Sequence, residues 1–487
     1  MGPRVNEAQL AETQLVKDAR DAQLRKTIPF FGLVALGLGG IWGNSWLLVA
    51  SAWMDVGGGV INALIAWGLV FLLELPLVLA YRQAVPLFPK AEGEMSYAEA
   101  AFGKLAGFIA GWFGILVNLI ICGYEVLALV RMTEFLEPRV TQIYWYKVMG
   151  WPVGIITILL GLALIAFITV LHYRGVKVSS GFQTFTSVTL MVLTGICIVI
   201  AFCLGSFENF KPLFTKPVWA GVIGVACMLP FSLAGWETIA KGAEEAADSS
   251  SNSGRSVPIA WTIGWLAYVL SFVATALVMP WTQAGEASIP FATGLNNLTG
   301  GTYLGILLIV TALIGVVGVY NALFYAVTRQ MFGMARHGML PAWLAKVHPK
   351  YGTPHNAVLF TSAIMLIAPF VGRKLLIPFV DAASFAYIIL WGATFLSVEV
   401  LRRRYRAEGR IIPATGGLPM RLLGYVSILF FLVAMLYPKS PGSLVWPLEH
   451  LILGGLVLLG LVLYAFRSGR DEQAGSAAPG LGVGGRV

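Results

Sequence analysis

The chain has 487 residues, 57% of them hydrophobic and 12% charged, and its mean hydropathy is +0.78. A soluble protein of this size needs far more charge to cover its surface, so a soluble enzyme or binding domain is excluded. The net charge of +9 has no soluble basic domain to carry it, which removes nucleic acid as a partner.

The first residues, 1–28, are polar and mixed in charge. NEAQLAETQLVKDARDAQLRK is compatible with a surface helix and lacks the short apolar core and cleavage site of a signal peptide. Twelve apolar stretches follow, at roughly 30–53, 60–81, 104–130, 151–173, 180–204, 219–240, 258–280, 302–328, 356–372, 376–401, 422–437 and 444–466. Such stretches of ~20 residues can cross a bilayer core of about 30 Å as helix. Inside lipid the backbone must satisfy its own hydrogen bonds, so the expected fold is an all-α integral membrane protein with twelve transmembrane helices.

An even number of spans puts both termini on one side. That side holds 25 of the 33 Lys and Arg residues, and the other side 8. By the positive-inside rule both termini are expected in the cytoplasm, with the chain in the plasma (inner) membrane. The run Arg402-Arg403-Arg404 closes a span and is placed to meet anionic headgroups. The tail, 468–487, is rich in Gly and Ala and reads as disordered. Cys122, Cys197, Cys203 and Cys227 fall inside spans, without a metal or redox spacing, and read as small core residues.

Two spans carry interruptions at corresponding places. Span one reads LGLGGIWGNSWL over residues 36–47, with five glycines between Gly32 and Gly43. Five spans later, span six contains Pro230, which removes a donor and clashes with the preceding turn. Ser232, Ala234 and Gly235 follow it. Paired breaks of this kind hold substrate at the midplane of many secondary transporters. The new helix start exposes N–H groups for a carboxylate, and the helix end exposes carbonyls for an ammonium group. Helix packing through small residues is the alternative use of so many glycines.

Acids inside lipid cost at least ~2.5 kcal/mol each, yet Glu74, Glu125, Glu237 and Asp381 lie within spans, and no Lys or Arg lies well inside one. An acidic interior favours a bound cation: an organic ammonium, a proton or a metal ion. Glu237 follows Trp236 at the break, and Glu125 shares a helix face with Asn118. One of these two acids is expected to carry a coupling proton; a hydrogen-bonded structural acid is the alternative. Glu74, close to Pro76, suits the backbone freed by that proline or a partner helix, and Asp381 a cap or a pair with Arg373 or Lys374. Glu244 and Glu245 can pair with Arg329 or Arg336 or stand solvated. Glu399 suits a surface pair with Arg402 or Arg403. Tyr320 and Asn321 could face a pocket or a sodium site. His337, His348 and His355 fit no metal pattern and read as solvated loop residues.

Five segments, in order, resemble the amino acid–polyamine–organocation (APC) superfamily of LeuT-type fold. LGLGGIWGNSWL is similar to its first-helix G-x-I-G-x-G stretch. FPKAEGEMSYAEAAFGKLAGFIAGW (88–112) resembles the FP-x-x-GG loop, and LHYRGVKVS (171–179) the loop between helices four and five. PFSLAGWETIAKGAEE (230–245) resembles the sixth-helix F-x-G-F/W-E … A-E-E pattern, and TRQMFGMARHGMLPAWLAKVHPKYGTPHNA (328–357) the A-R-x-G segment. The resemblance implies inverted five-helix repeats, about 29–205 and 219–401, with helices one and six unwound. Two further helices would occupy about 420–467, closing a transporter domain of 29–467. Gly39, Gly40, Ile41, Trp42, Gly43, Asn44 and Ser45 would receive a substrate carboxylate. Ser232, Leu233, Ala234, Gly235 and Trp236 would receive the amino group, with Trp236 as an aromatic lid and Glu125 nearby. Glu237, Glu125, Thr189 and Asn321 are the candidates for coupling and gating.

Three departures stand out. Ser45 replaces the last motif glycine, Trp42 adds bulk, and Glu92 replaces the first of the paired loop glycines. Thr189 falls where some proton-coupled relatives place a lysine. The resulting expectation is a secondary active transporter of an amino acid or related amine, without enzymatic activity, resident metal or cofactor, and coupled to H+. A sodium-coupled symporter or an exchanger of the same fold, and a channel, are the alternatives.

Overall fold

The computed structural model describes residues 26–467, apart from 142, 248–249, 288 and 410–415. The N-terminal segment up to residue 25 and the tail from 468 lie outside the described residues. Eleven described helical stretches are long and apolar enough to cross a membrane. The ninth expected span is a shorter apolar helix, His355–Phe370.

In chain order, crossing one is built from α1 (Phe30–Ile41), α2 (Ser45–Leu48) and α3 (Ala50–Gly57), and crossing two is α4 (Val60–Leu87). A short α5 (Glu94–Phe102) leads into α6 (Lys104–Leu136), the third crossing. A hairpin of β1 (Tyr144–Val148) and β2 (Trp151–Gly154) precedes α7 (Ile155–Arg174) and α8 (Val176–Leu204). Crossing six is α9 (Val218–Leu233) followed by α10 (Thr238–Gly242). Then come α11 (Ser250–Val278), the short α12 (Trp281–Ala284) and α13 (Pro290–Thr299), and α14 (Tyr303–Arg336). The last four are α15 (His355–Met365), α16 (Leu376–Ala407), α17 (Gly417–Leu436) and α18 (Leu448–Ala465).

Crossings one, three and six form the enclosed centre. Their apolar windows are 94%, 78% and 78% buried, against 28% and 17% for α17 and α18 at the periphery. Helix α14 packs on α6, α8 and α1, while α11 covers α1 and α4, and α16 covers α6, α4 and α9. The two sides are called the near face, which carries Ile28 and the turn after Glu245, and the far face, which carries the hairpin.

Several boundaries differ from the sequence expectation for physical reasons. Residues 151–154 are a strand paired with 144–148, so the fourth crossing starts at Ile155. Several near-face helix ends run past the apolar stretch, as in α4 to Leu87 and α14 to Arg336. Charged residues that end a hydropathy run continue a helix when they are buried against a partner, as Arg329 and Lys241 are.

Candidate functional site

Helix α1 ends at Ile41, and its regular ladder closes with the Trp42 N–H on the Leu38 carbonyl. Residues 42–44 are not helical, and α2 restarts at Ser45. Crossing six ends its first helix at Leu233, turns through residues 234–237 and resumes at Thr238. Gly235 sits at φ +115°, a conformation that side-chain-bearing residues rarely adopt. The two breaks touch. A Cβ on Gly40 would stand 2.6 Å from the Gly235 carbonyl oxygen, and one on Gly235 only 2.1 Å from the Gly40 carbonyl carbon. Only glycine at both positions allows that approach.

Local hydrogen bonds fix the shape of each break. Tyr268 of α11 donates to the Ile41 carbonyl at 2.9 Å and pairs with the Ser45 hydroxyl at 2.6 Å. Trp46 Nε1 donates to the Gly43 carbonyl at 2.8 Å. Trp42 stacks on Trp46 and meets Tyr268 edge-on, so it fills the volume beside break one. Across the way, Thr238 Oγ1 donates to the Gly235 carbonyl at 2.6 Å, and the Gly235 N–H donates to Glu237 Oε2 at 2.9 Å. The Ser232 hydroxyl is buried without a hydrogen-bond partner. Leu233 and Ala234 are buried beside it. Trp236 is fully buried, stacked on Trp391 and edge-on to Tyr81.

Two expected acids flank this junction. Glu125 accepts a short hydrogen bond from Asn44 Nδ2, and a Cβ on Gly43 would lie 3.3 Å from its Oε1. Asn118, on the same helix, donates to its own Gly114 carbonyl and accepts from Tyr387 instead of joining Glu125. Glu237 faces Tyr387, Lys241 and Glu74.

The interior is not purely acidic, which corrects the sequence reading. Lys241 is fully buried and pairs with Glu94 at 2.6 Å, and Arg329 is fully buried and pairs with Glu245 at 3.0 Å. Both cations are held inside helix-forming segments because acids from other elements reach them. Tyr325 adds a 2.7 Å hydrogen bond to Glu245. Arg336 bridges Glu92 at 3.0 Å and Glu244 at 2.7 Å. Glu92, the replaced loop glycine, also holds His337 at 2.8 Å. Burial opposes ionisation of Glu92, but the hydrogen bond and charge of His337 and the charge of Arg336 outweigh it, and its carboxyl falls to about 2. Burial likewise opposes charge on His337, but Glu92 and Glu99 overcome this and push the ring up to about 9. These pairs tie crossings six and eight to the segment around the start of α5 on the near face. On the far face, a cavity of about 560 Å³ opens among residues that include Arg131, Trp151, Glu286 and Lys374.

Other expected residues fall as follows. Thr189 is half-buried; the α8 residues that reach α1 and α14 are Gln183, Thr186 and Ser187. A Cβ on Gly39 would overlap the Gln183 amide, and Asn321 Nδ2 donates to Gln183 Oε1 at 2.6 Å. Tyr320 is buried with its hydroxyl unpartnered. Glu74 accepts from Trp261 of α11 at 3.0 Å, the partner-helix role. Asp381 lies against Glu449 of α18; the side chain of Arg373, one of its expected partners, lies outside what is described. Glu399 binds Arg402 and also Arg421 of α17, at 2.5 Å, and is not a solvated surface acid. His348 and His355 meet the Tyr173 ring edge-on. Cys203 is exposed, unlike the other three cysteines.

The amino acid permease family model matches residues 28–461. A branched-chain amino acid permease of Bacillus subtilis (strain 168) is 24% identical, covering 93% of this chain and 95% of its own. A glutamate/serine transporter of the same organism is also 24% identical, over 93% of this chain and 84% of its own. Cationic amino acid transporter 1 of Arabidopsis thaliana is 27% identical, over 80% of this chain and 64% of its own.

Proposed function

This chain belongs to the amino acid permease family, a secondary transporter of amino acids, and from that premise we propose that it moves a small amino acid or related amine across the plasma membrane by proton-coupled alternating access. The near face is the cytoplasmic one in this reading, because it collects most of the Lys and Arg residues. The carrying observation is the contact of two interrupted helices at Gly40 and Gly235. The restarting α2 offers N–H groups to a carboxylate, and the end of α9 offers carbonyls to an ammonium group. Glu125, tied to Asn44 in break one, supplies a counter-charge for the substrate ammonium. The Trp42, Trp46 and Tyr268 cluster favours a substrate with a small side chain.

Alternating access follows from the asymmetry of the two faces. Near-face ion pairs hold that side shut while the far face carries an open cavity. A carrier must break these pairs to release substrate inward. The coupling proton is assigned to Glu237 or Glu125, the acids beside the breaks. Sodium is the second reading. Against it stands Gln183, whose amide nitrogen lies on α1 at Gly39 and donates to Ser187, while its amide oxygen accepts from Asn321. A donor at that point on α1 disfavours a cation there.

The test is uptake of radiolabelled L-leucine, L-serine, L-glutamate, L-arginine and ethanolamine into proteoliposomes, under an inward proton gradient, an inward sodium gradient or neither. Accumulation of one substrate under the proton gradient alone is expected. Accumulation that needs sodium overturns the coupling assignment, and no uptake of any of the five overturns the substrate class.

A further inference from the structure

Lys241 is a cation that the transport reading leaves without a task. Its ammonium is fully buried in crossing six and lies 2.6 Å from Glu94 Oε1. Tyr81 donates to the same oxygen at 2.8 Å, and Gln330 of α14 stands 3.5 Å from the other. Glu237 precedes Lys241 by four residues, one helical turn, and faces it along α10. Lys241 therefore stands between an acid at the break and an acid at the start of α5. Glu94 is two residues from Glu92, whose partner His337 reaches the near-face surface.

The charges around Lys241 do not balance. Glu94 and Glu237 are both fully buried, and one ammonium neutralises only one of them. Glu74, on α4, also faces Glu237 and adds a further carboxyl. Among the described residues, neutral hydroxyls and an amide also meet these acids: Tyr81, Tyr97, Tyr387 and Gln330. An uncompensated charge in a low-dielectric interior is strongly disfavoured, and the simplest remedy is a bound proton.

We propose that Glu237, Lys241 and Glu94 form a single proton-binding site that takes up the coupling proton at the break and passes it toward the cytoplasmic gate. This deepens the proton-coupled reading and rests on it. With one extra proton the three groups are neutral, and Lys241 stays with Glu94, which keeps crossing six docked on the start of α5. Loss of that proton toward the near face leaves two carboxylates competing for one ammonium. Lys241 can then swing toward Glu237, and the crossing-six end of the gate is released from α5. No other ion is required, and the proton that enters is the proton that leaves.

The experiment uses the full-length protein in proteoliposomes. The variants are Lys241→Thr, Glu237→Gln, Glu94→Gln and the charge-neutral pair Lys241→Met with Glu94→Gln. The first readout is accumulation of whichever amino acid of the five-compound panel the wild type concentrates, compared with counterflow of the same compound. Lys241→Thr is expected to lose accumulation about tenfold more than counterflow, equivalent to ~1.4 kcal/mol. The second readout needs no substrate: the C=O band of a protonated carboxylic acid in infrared difference spectra as pH is stepped. Wild type shows it, Glu237→Gln or Glu94→Gln removes it, and Lys241→Thr enlarges it. Equal losses of accumulation and counterflow in Lys241→Thr, or a band unaltered in all four variants, overturn the site. Absence of pH-driven accumulation in wild type, with the band present and responsive, overturns the proton-coupled transport reading while leaving the proton site standing.

Discussion

Gly40 and Gly235 meet backbone to backbone, so that a Cβ on either would strike the main chain of the other within 2.6 Å. The contact joins crossing one to crossing six without an intervening side chain. Gly235→Ala carries two penalties, the clash and a positive φ, the latter of about 1–2 kcal/mol. Gly40→Ala carries the clash alone. We expect neither variant to transport, and Gly235→Ala to melt at the lower temperature. Gly195→Ala, where nothing lies within 4 Å of the added carbon, serves as the control and should match wild type in both uptake and melting. Normal uptake by Gly235→Ala would remove the contact from the mechanism.

Glu125→Gln keeps a side chain that can hydrogen-bond Asn44 but removes the counter-charge. The expected result is a KM raised about tenfold or more for an amine-bearing substrate, equivalent to ~1.4 kcal/mol or more of binding. The protein should melt near the wild-type temperature, because the amide costs less to bury than a carboxylate. An unchanged KM would place Glu125 outside the substrate site.

Arg329 and Glu245 are a buried pair with nearly no exposed surface. Removing one partner leaves the other charge stranded, at a cost of about 3–5 kcal/mol. Arg329→Met alone is expected to destabilise the protein severely. Arg329→Met combined with Glu245→Gln should recover most of the loss in a thermal melt. A double variant as unstable as the single would show that Arg329 acts through packing on Tyr325 more than through charge.

The Glu92–His337 pair gives the near face a pH window. The ring of His337 is raised to about 9 from 6.5, so its contribution is complete below about 6.5 and disappears as pH rises through 9. Glu92 is lowered to about 2 from 4.5, so its contribution is complete above 4.5 and is lost as pH falls through 2. The ring is partly exposed, which limits its share to about 1 kcal/mol. Wild type should lose more thermal stability between pH 6.5 and pH 9 than His337→Gln does. Parallel curves for the two proteins would refute the pairing as a stabilising contact.

Much of this was readable from residue order. The apolar runs marked the crossings because lipid enforces helix over each of them, and the Gly-rich and Pro230–Gly235 stretches marked the interrupted crossings, although Gly39, Gly40 and Ile41 stay helical and the first break falls at 42–44. The partners of charges were not readable. Lys241 looked like the first polar residue past a span because its acid lies 147 residues earlier in the chain. The contact of Gln183 with Gly39 was not readable either, since helix rotation is set by packing and not by spacing. Cys203 looked like core for a different reason: lipid-facing and protein-facing positions are equally apolar, so composition does not separate them.

The ninth helix carries a further consequence. His355–Phe370 spans 16 residues, or about 24 Å at 1.5 Å per residue, short of a hydrocarbon layer of about 30 Å. The far-face hairpin closes over its end, with the Tyr146 hydroxyl on the Phe370 carbonyl at 2.7 Å and Val148 and Val153 against Gly372. Trp145 and Tyr144 are exposed on that hairpin, and exposed aromatic rings at the end of a crossing favour the headgroup boundary. Lipids with longer tails are expected to strain this short crossing first.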